Sequence, residues 1–275
     1  MAPSALQKDM ATTSFNKKTL GLEVAEPAVT PPTPDTQSTF LKKPKLTGSK
    51  SRKRDIPEGL WTKCEKCGHM IYDKELDANL KVCIKCQYHF SIGARERINS
   101  LVETCSFEEQ DATMESVDVL QFTGVASYTT KLKQHSAKTN LKDAVLTGIG
   151  RIGKHRVGLG VMDFEFLGGS MGSVVGEKLT RLIEAATDKG LPVIIISTSG
   201  GARMYEGMFS LLQMAKACGA LAYHARNKLP YISVLTNPTL AGVMASFAAV
   251  GDLILAEPGA MIGFAGRRWK NGIDT

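Results

Sequence analysis

Four of the six cysteines fall into two pairs, Cys64-x-x-Cys67 and Cys83-x-x-Cys86, separated by 15 residues. A CxxC turn brings two thiolates to one ion, and two such turns complete a tetrahedral four-sulfur shell. Such a shell leaves no open coordination position, so the predicted metal is one structural Zn²⁺. Gly68 frees the first turn, and Lys63, Lys66, Lys81 and Lys85 offset the surplus charge of four thiolates. Cys105 and Cys218 have no partner at ligand spacing, and His69 and His89 are surplus to a complete set.

The second chemically suggestive feature is a pair of glycine turns. Phe166-Leu167-Gly168-Gly169-Ser170-Met171-Gly172-Ser173 precedes a helix predicted from Val174, and Ser197-Thr198-Ser199-Gly200-Gly201-Ala202-Arg203-Met204 follows a short apolar strand. A strand that ends in Gly-Gly and enters a helix offers unpaired N–H groups at the positive end of the helix dipole. That arrangement suits an oxyanion, and one such donor typically lowers a barrier by about 2.7–4 kcal/mol. The same spacing also fits ordinary tight turns, and spacing alone leaves both readings open. No Ser/His/Asp or Cys/His constellation is visible among the five histidines.

Gly148-x-Gly150-x-x-Gly153 fits a dinucleotide fingerprint on paper. The fingerprint works only if its last glycine opens a helix. Here Lys154-His155-Arg156 leads into an alternating stretch, so the glycines are read as hairpin and packing positions.

Strands are predicted over 144–149, 156–164, 193–197, 230–236 and 252–256, and helices over 94–103, 174–188, 202–227 and 240–250. Their alternation argues for a layered α/β domain with mostly parallel pairing. Residues 94–140 read as mostly helical and polar. Met204, Met208 and Met214 read as core on the helix after the second turn, where Glu206 complements the dipole. Residues 1–55, rich in Thr, Ser, Pro and Lys and ending in Lys50-Ser51-Arg52-Lys53-Arg54, have little to bury and are expected to be a disordered tail.

The formal net charge of +7 favours anionic partners, from nucleic acid to nucleotide-bearing cofactors, without selecting one. No apolar run is long enough for a membrane span. Paired CxxC motifs in a chain of 275 residues point to a reducing compartment.

The ribbon opening Leu60-Trp61-Thr62-Lys63-Cys64, the segment Phe164–Lys178 (FEFLGGSMGSVVGEK), Ser199–Gly207 (SGGARMYEG) and Gly263–Gly266 (GFAG) closely resemble the β-subunit family of multisubunit acetyl-CoA carboxylase, from about Ile56 to Gly266. The resemblance implies an α/β, crotonase-like domain of ββα units at 94–275 behind a zinc ribbon at 58–93. It implies transfer of carboxyl from carboxybiotin, borne on a biotin carboxyl carrier protein charged by biotin carboxylase, to acetyl-CoA, giving malonyl-CoA for fatty acid synthesis. The implied assembly is an α2β2 heterotetramer with a carboxyltransferase α subunit, in the cytoplasm or a plastid stroma. Carried over by position, Gly200 and Gly201 become the oxyanion-hole pair. Gly168, Gly169 and Gly172 would let CoA approach the backbone, with Arg203 or Lys178 meeting its phosphates.

Two departures stand out. Where the family commonly has Asn-Pro-Thr-Thr-Gly-Gly, this chain has Asn237-Pro238-Thr239-Leu240-Ala241-Gly242, tolerable at Ala241 if φ is negative. After Gly266 the family's usual continuation is replaced by residues 267–275, which read as a truncation. The other readings are a zinc-ribbon nucleic-acid-binding protein, more plausibly a secondary activity, and a crotonase-type enzyme for a different acyl-CoA.

Overall fold

A computed structural model of the chain describes residues 60–124 and 126–264. The expected N-terminal tail, its basic run and the shortened C-terminal end lie outside the described residues.

The chain begins with β1 (Trp61–Lys63) and β2 (Met70–Tyr72), an antiparallel hairpin, followed by α1 (Asp73–Ala78). Both knuckles repeat one backbone pattern. The N–H of Cys64 donates to His69 O and the N–H of Gly68 to Cys64 O; Cys83 and Gln87 make the same bonds with Tyr88 O and Cys83 O. The fourth residue after each leading cysteine turns left-handed, Gly68 at φ +70° and Gln87 at φ +57°. Only the first knuckle uses the residue that adopts this conformation without strain.

After α2 (Ala94–Leu101) comes a short strand, β3 (Glu108–Gln110), within the region read as helical, and then α3 (Tyr128–Thr139). Three residues of mixed polarity carry too little periodicity to announce a strand. It forms because β4 (Val145–Ile152) offers it an antiparallel partner. β4 and β5 (His155–Met162) make the hairpin expected around Gly153-Lys154-His155. The glycines of the rejected fingerprint serve packing: a Cβ on Gly148 would strike Phe107 and the Glu108 carbonyl, and one on Gly150 would press Val102 at 2.9 Å.

The chain continues through α4 (Ser173–Asp188), β6 (Val193–Ser199), α5 (Met208–Arg226) and β7 (Tyr231–Leu240). It ends with α6 (Ala241–Met244), β8 (Leu253–Ala256) and β9 (Ile262–Gly263). The sheet order is β3-β4-β5-β6-β7-β8, parallel from β5 to β8, with β9 pairing β7. All of β6 is buried or nearly so, as an apolar strand enclosed on both faces must be. The helix expected over 240–250 is reduced to one turn, α6, because β7 runs on to Leu240 and pairs with Ser199 and β9.

Two glycines on β5 set how closely α4 lies on the sheet. A Cβ on Gly158 would sit 2.9 Å from Ala186 Cβ, and one on Gly160 3.0 Å from a Leu179 methyl. α5 then packs on α4 over Gly176, where Gln213 fills the room a side chain would take. Gly158→Val should therefore overpack this layer and cost about 1–3 kcal/mol. A thermal melt showing no fall in Tm would refute that account of the α4–sheet spacing.

Candidate functional site

The four expected metal ligands converge. The Sγ atoms of Cys64, Cys67, Cys83 and Cys86 all lie within 4.8 Å of one another. Cys64 to Cys86 is 3.6 Å and Cys67 to Cys83 is 3.8 Å. Tetrahedral zinc with bonds of about 2.3 Å requires sulfurs about 3.8 Å apart, so the set fits Zn²⁺. Burial opposes ionisation at Cys83, yet the N–H groups of Cys86 and Lys85 bring its thiol down to about 6. Burial and the neighbouring sulfurs push Cys86 up to about 12. Zn²⁺ takes these sulfurs as thiolates, so its binding would release the remaining thiol protons.

Where the ribbon meets the larger domain, Arg97 pairs with Glu257 at 2.6 Å. His89 and Phe90 share a small crevice with Thr198, Thr236 and Asn237. The ribbon thus abuts the strand ends from which the second glycine turn departs.

The two glycine turns come together around an open cavity of 490 Å³. Gly168, Ser170, Gly200, Gly201 and Ala202 form one wall, and Phe122, Phe164, Leu167, Met204 and Tyr205 give it apolar surface. Hollows of similar size near Cys105 and near Lys142 contain neither turn. The turns are laced directly. Gly200 N–H donates to Gly168 O at 2.9 Å, Met171 N–H to Gly201 O at 2.9 Å and Arg203 N–H to Met171 O at 2.8 Å. Gly201 N–H donates to the Ser199 hydroxyl at 3.0 Å. The two glycine amides expected to be free donors therefore already have partners, Gly200 on the opposite loop and Gly201 within its own turn.

The glycines expected to admit CoA divide by environment. Gly168, at φ +66° with open space where a Cβ would stand, lines the cavity. Gly169, at φ +62°, is instead pressed against the Thr198 carbonyl, and a side chain on Gly172 would collide with Glu206 and Arg203. These two are required by internal packing.

Arg203 corrects the sequence expectation outright. It is 1% exposed and cannot meet a phosphate. Its guanidinium forks onto Asp143, Nη2 to Oδ1 at 2.6 Å and Nη1 to Oδ2 at 3.1 Å. Nε donates to Ser170 Oγ at 3.0 Å, Nη2 to Ser170 O at 2.8 Å, and Nη1 to Ser116 Oγ and Tyr128 Oη at 3.0 and 2.9 Å. Burial alone would raise the Asp143 carboxyl, but Arg203, Ser116 and the Ala144 N–H hold it below the usual carboxylate range. Burial likewise opposes the Arg203 charge, and Asp143 more than restores it.

Lys178 is also buried, its Nζ donating to Val145 O at 3.1 Å, and burial lowers its pKa. Glu206 accepts from Tyr128 Oη and from the Ser173 N–H, each at 2.6 Å, so it caps the start of α4. Sequence reading missed Asp143, Ser116 and Tyr128 in this cluster. An acidic residue at the foot of a buried strand was the one available signal.

Met204 and Met208 are 83% and 65% exposed, contrary to their expected place in the core. With Leu211 and Leu212 they form an uncovered apolar face. Ala241 lies at φ +49°, the left-handed region, so the condition on which it was tolerable is not met. Its methyl stands where a side chain on Gly201 would have to go.

The chain thus joins a four-cysteine zinc ribbon to an α/β domain whose two glycine turns wall an open cavity. Residues 92–272 match the carboxyl transferase domain, and residues 61–86 match the acetyl-CoA carboxylase zinc finger domain. Among curated relatives, the acetyl-coenzyme A carboxylase carboxyl transferase subunit beta of Methylacidiphilum infernorum is 58% identical, covering 78% of this chain and 77% of that one. The chloroplastic subunit of Pyropia yezoensis is 55% identical over 79% of this chain and 76% of its own. Among solved structures, transcarboxylase 12S, crystallised as a hexamer with methylmalonyl-coenzyme A, aligns with a TM-score of 0.53 at 28% identity, covering 66% of this chain and 33% of that chain. A Pseudomonas malonate decarboxylase heterotetramer shares the fold, with a TM-score of 0.54 at 23% identity over 66% of this chain and 64% of that one. The chain belongs to the family of acetyl-CoA carboxylase carboxyl transferase β subunits.

Ala241→Gly should relieve the left-handed alanine and raise stability by about 1 kcal/mol, read as a higher denaturation midpoint. Elemental analysis should find one zinc per chain, and Cys64→Ser should lose it.

Proposed function

We propose that this chain is the β half of a carboxyltransferase that moves a carboxyl group from carboxybiotin to acetyl-CoA, yielding malonyl-CoA. The observation that carries the reading is the meeting of the Gly168 and Gly200–Gly201 turns on one open cavity in a chain of this family. Carboxybiotin supplies the carboxyl group and, once it is given up, a ureido nitrogen basic enough to take the methyl proton of the acetyl group. The protein then has to position two reactants and stabilise oxygen-centred charge.

Among the cavity's donors, Gly201 N–H is best suited to that charge. Its bond to the neutral Ser199 hydroxyl is about half as strong as one to an oxyanion, so developing charge can draw the amide away. Gly168, with open space at its Cα, leaves room for the thioester beside the backbone. Neither Arg203 nor Lys178 is accessible, so CoA phosphates must be met by other groups, including those of a partner.

The exposed face of Met204, Met208, Leu211 and Leu212 supports a partner subunit, since so much contiguous apolar surface is uncommon on a chain that works alone. We assign that partner as a carboxyltransferase α subunit, in an α2β2 assembly served by a biotin carboxyl carrier protein and biotin carboxylase. Among the described residues no helix is long and apolar enough to cross a membrane.

Co-expressed with the α subunit, the chain should form malonyl-CoA from acetyl-CoA and carboxybiotin, with propionyl-CoA and longer acyl-CoA substrates turned over more slowly. Gly201→Ala keeps the N–H but must displace it, because the added Cβ would meet Ala241 Cβ at 2.7 Å, and should lower kcat about 10²-fold in the assembled complex. An assembled complex with no carboxyl transfer, or a Gly201→Ala complex at full rate, would sink the proposal.

A further inference from the structure

We infer that Arg203 is a positioning residue for carboxyl transfer, its side chain setting the gap between the Gly168 turn and the Gly200–Gly201 turn. The inference rests on the reading of the cavity between those turns as the reaction site. Arg203 follows the Gly200–Gly201 turn immediately, and its own N–H is one of the rungs that lace the two loops. Its side chain then passes beneath the lacing. Nε and Nη2 take the hydroxyl and the carbonyl of Ser170, a residue of the opposite loop. The same Nη2 and its neighbour Nη1 fork onto Asp143, at the foot of β4. One wall of the cavity thus holds the other and ties both to the sheet.

Only a guanidinium can make this contact. Its donors lie in one rigid plane and serve Ser170 and Asp143 at once, whereas a lysine ammonium would satisfy the charge but hold neither direction. The packing around it allows no slack, since a Cβ on Gly172 would collide with both Arg203 and Glu206. The distances matter for rate because the cavity acts by placement, and an error of about 1 Å far from the reacting atoms can cost about 10²-fold. A residue that only held the fold together would affect stability and leave the turnover of folded enzyme unchanged.

The test uses the complex assembled with its partner subunit, in which wild-type chain must first carboxylate acetyl-CoA. Failure there would strike the functional reading, and the role of Arg203 is judged only against an active wild type. Arg203→Met combined with Asp143→Leu replaces the buried pair by apolar groups of similar size, a change that cores often tolerate. The folded, assembled double variant should show kcat lowered about 10²-fold, with KM for acetyl-CoA within about threefold of wild type. Ser170→Ala keeps the ion pair and removes one tether, and should lower kcat about tenfold at unchanged KM. A folded double variant at wild-type kcat overturns the inference. If the double variant does not fold, Ser170→Ala decides: full kcat overturns it, and the tenfold loss supports it.

Discussion

Placing Arg203 and Asp143 together where water cannot reach is the constraint around which the site is arranged. Burying two charges costs several kcal/mol per ion, recovered only if geometry is good and the remaining polar groups are satisfied. Both conditions are met here, with Ser116, Ser170, Tyr128 and the Ala144 N–H completing the set. Counted with Arg203 and Asp143 themselves, these groups come from five separate stretches of chain, so meeting the demand of one ion pair draws five segments together. Gly172 has to be a glycine, and the two turns have to lie within hydrogen-bonding distance, because of it.

The ribbon shows the opposite economy. Its small cluster of buried residues is the four-cysteine site with Ile71 and Leu76 beside two of the thiols, so metal–sulfur bonds do what apolar contact does elsewhere. Its contribution to the larger domain is mechanical. Its His89 and Phe90 lie against Thr198 and Asn237, near the strand ends that carry the second glycine turn, beside the Arg97–Glu257 pair of the larger domain.

Much of this was legible in the residues, for reasons that can be named. Cysteine spacing reports metal geometry almost directly, since a CxxC turn has few conformations. The strands read at 193–197 and 156–164, which the structure places at Val193–Ser199 and His155–Met162, were visible because burial on both faces favours apolar or glycine-rich sequence. The Gly148–Gly153 fingerprint could be rejected because the alternation after it belongs to a strand. What sequence could not disclose was direction. Arg203 beside a glycine turn looks the same whether it faces a ligand or the interior, and only Asp143, 60 residues away, determines which. Gly168, Gly169 and Gly172 are likewise indistinguishable in sequence, although one faces open space and two face backbone or buried charge. The sign of φ at Ala241, on which its tolerance depended, could not be read because its conformation follows from the pairing of β7 with Ser199 and β9, which are long-range contacts.

Among the described residues five of the six α-helices begin without a capping side chain of their own, and two of them, α2 and α4, borrow a carboxylate from a distant part of the chain. Asp163 accepts the Ala94 N–H, 69 residues away, and Glu206 accepts the Ser173 N–H, 33 residues away. A helix that depends on a remote acceptor cannot be finished while the chain around it is still unformed. The first turn of α4 therefore completes only as the Met204–Glu206 segment docks. Loss of that segment would fray the helix on which the opposite loop ends. Local melting at either wall of the cavity is thereby transmitted to the other, and the two are expected to open and close as one cooperative unit.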